Sequence, residues 1–467
     1  MSSARKALCW GVNVGAGLML AACSLAPTYE RPAAPIPDAY PLPGGKADGR
    51  SAADMAWKDF FGDARLQALI SAALANNRDL RTAALRVEES RALFGIQRAD
   101  QFPTINGNAS YTRTGTTDAQ QAAGQPSITR QYQVGLGLTA FELDFFGRVR
   151  NLSDAALAQY LATGEARSSA QISLVAQVAQ AYFAERSYAE QLELAQRTLE
   201  GREQGLSLTR SRFEGGASSQ LDLRQVESLA ESAHVAVATL KRQLAQAGNA
   251  LNLLVGAPVA DLPPPQGLSG QKLVTDIPPG APSELLTRRP DIRAAEQRLI
   301  AANANIGAAR AAFFPRISLT STVGTVSPEL SGLFESGSRV WSFAPQLTLP
   351  IFDWGRNSAN LDLSKVRNDI AIVAYEQSIQ SAFREVSDAL VARDALDEQL
   401  AAQQRYRDAV ADRLALSEAR YAGGIDSFLG VLDAQRELFS ADQTLLQVRQ
   451  QRLLNAVDLY RALGGGV

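Results

Sequence analysis

Ile105, Gly107, Ala109 and Tyr111 alternate with Thr104, Asn106, Asn108, Ser110 and Thr112, and Tyr132, Val134, Leu136, Leu138 and Ala140 alternate with Gln131, Gln133, Gly135, Gly137 and Thr139. The two-residue period returns with Ile317, Leu319 and Val323 against Ser318, Thr320 and Thr322. It appears once more with Trp341, Phe343, Leu347, Leu349 and Ile351 against Ser342, Ala344, Gln346 and Thr348. A period of two sends alternate side chains to opposite faces of a β-strand. One face here is apolar with aromatics, the other small and polar, as in a transmembrane barrel strand whose residues face lipid and lumen in turn. Two soluble hairpins in a sandwich are the alternative. Pro345, inside the last strand, predicts a bulge or bend there.

Elsewhere the period is helical. Residues 64–99 form a helical stretch that Pro103 stops. Residues 151–213 contain no proline, and residues 357–421 neither proline nor glycine. Some sixty residues at about 1.5 Å each give helices on the order of 90 Å long, a length that predicts coiled-coil packing. The seam is Val226, Ala230, Ala233, Val237, Leu240, Leu244, Ala247 and Leu251, stepping by four and three. Such a strict heptad imposes a left-handed supercoil.

These elements occur twice. Asp79 matches Asp291, and Phe102-Pro103 matches Phe314-Pro315, at an offset of 212. Gly147-Arg148 matches Gly355-Arg356, Arg212-Phe213-Glu214-Gly215-Gly216 matches Arg420-Tyr421-Ala422-Gly423-Gly424, and Gly256 matches Gly464, at an offset of 208. Shifted by 208, the seam becomes Ala434, Leu438, Ala441, Leu445, Val448, Arg452, Asn455 and Leu459, apolar until its last turns. A module of two long helices and two strands cannot close on itself, so it calls for further copies.

The first residues set the compartment. Arg5-Lys6 precedes an uncharged run that ends in Leu20-Ala21-Ala22-Cys23, a secretory signal with a lipobox, so the mature chain is expected to begin at an acylated Cys23. Residues 1–22 remove two basic charges and no acid, leaving 44 basic against 48 acidic residues, a net charge of −4 that offers no basic patch to nucleic acid. Cys9 leaves with them, so no disulfide or thiolate metal site is expected. One histidine, His234, excludes a multi-histidine metal site within one chain, and Gly44-Gly45-Lys46-Ala47 lacks the spacing of a phosphate-binding loop. No enzyme activity and no cofactor are expected beyond the covalent lipid on Cys23. Charges along the long helices read as solvated faces and i,i+4 pairs.

The lipobox, Trp57-Lys58-Asp59-Phe60-Phe61, the two Phe-Pro pairs, Asp144-Phe145-Phe146-Gly147-Arg148 with Phe352-Asp353-Trp354-Gly355-Arg356, the Arg420–Gly424 turn followed by Val431-Leu432-Asp433-Ala434-Gln435, and the ending Leu459-Tyr460-Arg461-Ala462-Leu463-Gly464 together resemble the TolC-like outer-membrane factor family, in its lipoprotein branch serving multidrug efflux. The resemblance implies an α+β membrane protein. In it, a homotrimer forms one twelve-stranded barrel, four strands per chain, continued by a periplasmic α-helical coiled-coil barrel. Four strands are too few to enclose a water-filled lumen and twelve are enough. It also implies the division of the chain: signal peptide 1–22, lipidated arm and start of an equatorial region 23–63, first repeat 64–256, linker 257–282, second repeat 283–464 and tail 465–467.

The implied function is a passive, gated exit duct in the Gram-negative outer membrane that exports drugs and other small molecules. Its implied partners are a periplasmic adaptor (membrane fusion) protein, an inner-membrane transporter of the RND type and outer-membrane lipid. Type I protein secretion and metal-ion efflux are the alternative duties. Gly215, Gly216, Gly423 and Gly424 close the helix hairpins, where glycine can take the left-handed conformation, and the resemblance makes these turns the adaptor contact. It places the gate at Leu429 and Asp433, one turn apart on one helix face, as an apolar constriction and a ring of negative charge. The matching first-repeat positions are Leu221 and Gln225, so only the second repeat brings the acid.

Overall fold

A computed structural model describes residues 24–41, 52–117, 126–274 and 277–466; the signal peptide and Cys23 lie outside the described residues. The elements are α1 (Trp57–Phe60), α2 (Ala64–Asn76), α3 (Arg78–Ala99), β1 (Ile105–Gly115), β2 (Ile128–Leu143), α4 (Arg148–Glu214), α5 (Gln220–Val255), α6 (Leu285–Arg288), α7 (Pro290–Ala311), β3 (Arg316–Ser327), β4 (Arg339–Thr348), α8 (Arg356–Ala422) and α9 (Phe428–Ala462). Helices α4 and α8 are each 67 residues long. They begin at Arg148 and Arg356, the register read from the sequence. No described helix is long and apolar enough to cross a membrane.

The chain forms two compact units. The first comprises the N-terminal stretch to Ala33, Arg86–Thr163 and Ala294–Tyr375, and it holds the sheet. Its strands pair antiparallel in the order β1-β2-β3-β4, so β1 and β4 each keep an open edge, and every residue of both is exposed. The register lines up Leu136, Val323 and Trp341 across one face, with Ile105 beside Leu138 and Tyr111 beside Tyr132. On the other face Gly135 stands opposite Gly324, where a Cβ would fall 2.6 or 2.3 Å from a carbonyl oxygen of the neighbouring strand.

The expected bulge at Pro345 is absent and one forms in β2 instead. Pro345 sits opposite Leu319 in unbroken register, because an edge strand can turn its missing N–H to the open side. In β2 the pairing shifts between Leu138 and Phe141. Ala140 there takes a φ of 50°, and its N–H donates to Thr320 Oγ1 at 3.2 Å. One inserted residue reverses a strand's parity. The apolar set therefore passes from Leu138 to Phe141 and Leu143 without leaving its face, and the alternation does not run through Thr139 and Ala140. Strand β4 stops at Thr348, so Leu349 and Ile351, flanking Pro350, lie beyond it.

The N-terminal arm lies along α7. Arg310 Nη1 donates to the Leu25 carbonyl at 3.0 Å and Asn303 Nδ2 to that of Pro27 at 2.8 Å. Glu296 Oε1 accepts from the Tyr29 hydroxyl at 3.0 Å and Arg31 Nε at 2.7 Å. Glu296, Asn303 and Arg310 recur every seven residues, on one helix face. Gly307 leaves room for the arm, since a Cβ on it would meet the Ala26 nitrogen at 2.7 Å.

The second unit comprises Ala34–Leu85, Gly164–Arg293 and Glu376–Val467. The expected continuous helix over 64–99 is broken at Asn77, whose extended backbone (ψ 131°) ends α2 while its Oδ1 accepts from the Leu80 N–H to start α3. The second repeat breaks at the matching Arg289, before Pro290. The unit also holds buried Phe60, Phe61, Tyr182 and Tyr460, and Phe60 stacks on Tyr460 with centroids 4.1 Å apart. Asp63 joins Tyr182 to the linker. Its Oδ1 caps α2, and its Oδ2 accepts from the Tyr182 hydroxyl at 2.7 Å and Gln271 Nε2 at 2.8 Å.

The predicted seam of α5 is buried at Val226, Ala230, Ala233, Val237, Leu240 and Leu251. On α9 its last turns turn polar as expected: Arg452 Nε reaches Asp397 at 2.5 Å, and Asn455 Nδ2 donates to the Ala389 carbonyl at 3.0 Å.

Candidate functional site

Both hairpin turns are built by the chemistry their glycines permit. Gly216 and Gly424 take φ of 75° and 71°. The N–H groups of Ala217 and Ile425 donate back to the carbonyls of Arg212 and Arg420 at 2.8 and 2.9 Å, the six-residue closure of a Schellman motif. The two turns differ in dress. Ser219 begins α5 with a reciprocal capping box to Asp222, whereas Ser427 begins α9 without a side-chain cap. In the second turn Arg420 Nε pairs with Asp426 at 2.5 Å, which holds that carboxyl below its ordinary range. Arg212 Nη1 donates to the Tyr421 hydroxyl at 2.9 Å, so the turns touch.

Leu429 and Asp433 lie on the exposed face of α9's first turns, while Val431, Leu432 and Ala434 turn inward, Leu432 against Val226 and Leu229 of α5. Leu429 is 48% exposed, an apolar side chain with little cover in the single chain. Asp433 is ion-paired to Arg436 three residues on. Their first-repeat counterparts, Leu221 and Gln225, are exposed and half-buried.

Further along α9 from these two residues runs a polar network without a sequence motif. Glu437 Oε1 accepts from the Tyr406 hydroxyl at 2.8 Å, and its second oxygen pairs with Arg413. The Tyr406 hydrogen bond and the Arg413 charge hold the Glu437 carboxyl below its ordinary range. Arg407 Nε pairs with Asp442 at 2.8 Å. Arg202 is buried and has no acidic partner among the described residues. Its Nη1 donates to the Leu229 carbonyl and Ser232 Oγ at 2.9 and 3.0 Å, and its guanidinium lies over Phe439, 5.5 Å from the ring centroid.

Several of these charges thus bind one helix to another, contrary to the expectation of solvated faces and i,i+4 pairs. Their partners are 24 to 35 residues apart in sequence, a separation that no helical spacing rule detects. His234 is an exposed helix residue whose Nε2 lies 3.1 Å from Glu203.

The family model for outer membrane efflux proteins matches residues 69–257 and 281–465. The solvent efflux pump outer membrane protein SrpC of Pseudomonas putida is 50% identical over 455 residues, covering 96% of each chain. Outer membrane protein OprJ of Pseudomonas aeruginosa is 49% identical over 451 residues, covering 96% of this chain and 94% of its own. The crystal structure of the open state of the Neisseria gonorrhoeae MtrE outer membrane channel superimposes with a TM-score of 0.87 at 44% identity, covering 95% of this chain and 98% of that one. The paired hairpins, the twice-used helical module and these likenesses agree: the chain belongs to the outer membrane efflux protein family, and it is an outer-membrane duct for efflux.

Proposed function

We propose that three copies of the chain close a twelve-stranded barrel in the outer membrane and continue it as a helical barrel into the periplasm. Drugs and other small molecules pass through it passively, driven by an RND-type inner-membrane transporter through a periplasmic adaptor. The observation that carries this reading is the open sheet. Strands β1 and β4 each leave a row of backbone groups unpaired beside an apolar face on which Ile105 is 69% and Trp341 76% exposed. A bilayer tolerates such a face but not an open edge, so the edges must meet those of other copies. A second surface asks for the same partner. Leu363, Val366, Ile370 and Val373 step by three and four along α8 and are all exposed, a heptad seam without a mate.

In this reading Cys23 carries the lipid, and the exposed turns at Gly215-Gly216 and Gly423-Gly424 meet the adaptor. Leu429 and Asp433 from three copies surround the axis as the gate. The test is assembly and export together. Outer-membrane extracts should yield a trimer, and Val366→Asp with Ile370→Asp should abolish it along with drug export in a strain lacking its own duct. A wild-type monomer that still exports would overturn the proposal.

A further inference from the structure

A cavity of about 460 Å³ in the second unit brings the Arg407–Asp442 pair described above together with a charged face of α4. One wall is a single face of α4, where Arg186, Glu190, Glu193 and Arg197 follow one another by four, three and four. Asp442, Leu445, Leu446 and Arg449 of α9 form the facing wall, with Arg407 of α8 and Gly267 of the linker at the sides.

Most of its charges are already engaged. Arg407 Nε is bound to Asp442 at 2.8 Å, Arg449 Nη2 donates to Gln404 Oε1 at 3.1 Å, and Glu190 Oε1 accepts the Leu268 N–H at 2.6 Å. Three groups remain without a hydrogen bond or ion pair among the described residues: Arg186, Arg197 and Glu193. The Arg186 Nε is itself buried and unpaired. A buried donor left unpaired is costly, and a guanidinium fork is best met by the two oxygens of a carboxylate. Arg186 is half-buried and Glu193 and Arg197 are exposed, so a ligand entering from solvent would meet two cations and one anion, which fit two negative groups and one positive group. Leu445, which is buried, and Leu446 offer a short apolar floor between them.

We propose that this cavity binds a small amino-dicarboxylate, the chemistry of a free acidic amino acid, with its carboxylates on Arg186 and Arg197 and its ammonium on Glu193.

Calorimetric titration of the purified, detergent-solubilised oligomer tests this, with L-glutamate, glutarate and 4-aminobutyrate as probes. Glutamate should bind saturably and more tightly than glutarate, which lacks the ammonium, or 4-aminobutyrate, which lacks one carboxylate. Arg186→Gln and Arg197→Gln should each weaken glutamate by about tenfold or more, the scale of one charged hydrogen bond. Glu193→Gln should weaken glutamate and leave glutarate unchanged or tighter. Elution of each variant at the wild-type oligomer volume separates loss of the site from loss of the fold. Absence of saturable glutamate binding to wild type, or equal binding to the arginine variants, would overturn the proposal. Equal affinity for glutamate and glutarate would remove Glu193 from it and contradict the amino-dicarboxylate assignment.

Discussion

Gly256 ends α5 in the left-handed conformation, φ 76°, and lies so close to Asn76 that a Cβ on it would sit 2.7 Å from the Asn76 carbonyl oxygen. The second repeat has the same pair, Gly464 against Arg288, with a looser 3.2 Å. Each glycine thus ends the returning helix beside the break between two helices of its own repeat. An alanine would cost about 1–2 kcal/mol for the left-handed backbone alone. At Gly256 the carbonyl contact adds to this. Gly256→Ala should therefore lower the thermal midpoint of the purified protein more than Gly464→Ala does, and equal midpoints would contradict the contact.

Arg289 occupies the break that Asn77 occupies in the first repeat, and it does so as a buried cation. Its guanidinium pairs with Asp291 at 2.6 Å and Glu385 at 2.9 Å and donates to the Ala462 carbonyl at 2.8 Å. Removing it leaves two partly exposed acids and the Ala462 carbonyl without it, and Arg289→Gln should cost about 1.5–3 kcal/mol, the scale of a hydrogen bond to a charged group. Denaturation midpoints of wild type and variant measure this.

The same cluster sets a pH dependence. Burial pushes the Asp291 carboxyl up, but the hydrogen bond and charge of Arg289 outweigh it and hold the group below its ordinary range. A depressed carboxylate stabilises the fold at pH values above its unfolded pKa, and that contribution is lost as pH falls through the folded one. Thermal midpoints should thus drop on acidification below the ordinary aspartate range, and Asp291→Asn should flatten that part of the profile. An unchanged acid limb in the variant would exclude Asp291 as its source.

Ala140 is a non-glycine residue at φ 50° in the β2 bulge. Relief of the left-handed strain outweighs glycine's added flexibility by up to about 1 kcal/mol, so Ala140→Gly should preserve the barrel and raise its melting temperature slightly. Thr320→Val, which removes the hydroxyl that receives the Ala140 N–H, should lower it. Heat-modifiability of the folded barrel on gels reads both.

The strands, the long helices, the seam and the repeat were legible because each writes a regular spacing into the sequence, two for strands, seven for the seam and an offset of 212 and then 208 for the module. What was not legible depends on contacts between distant segments. The bulge was assigned to Pro345 by local chemistry, whereas strand order made Pro345 harmless at an edge and the parity change from Leu138 to Phe141 required the bulge in β2. The break at Asn77 carries no proline, and the side chain that makes it also donates to the Leu254 carbonyl at 2.8 Å, a contact 177 residues away. Leu429 and Asp433, the proposed gate, followed from resemblance. The Tyr406–Glu437–Arg413 network beside them joins two helices and has no motif.

In the proposed assembly, copies of this chain form a conduit closed by Leu429 and Asp433. Single-channel recording of the purified oligomer in a planar bilayer tests it most directly. Discrete, cation-preferring openings are expected from wild type. Leu429→Ala with Asp433→Ala should give higher conductance and weaker cation preference, through loss of the apolar constriction and the acidic ring. A wild-type oligomer that conducts nothing would contradict the conduit, and a double variant with wild-type conductance and selectivity would place the gate elsewhere.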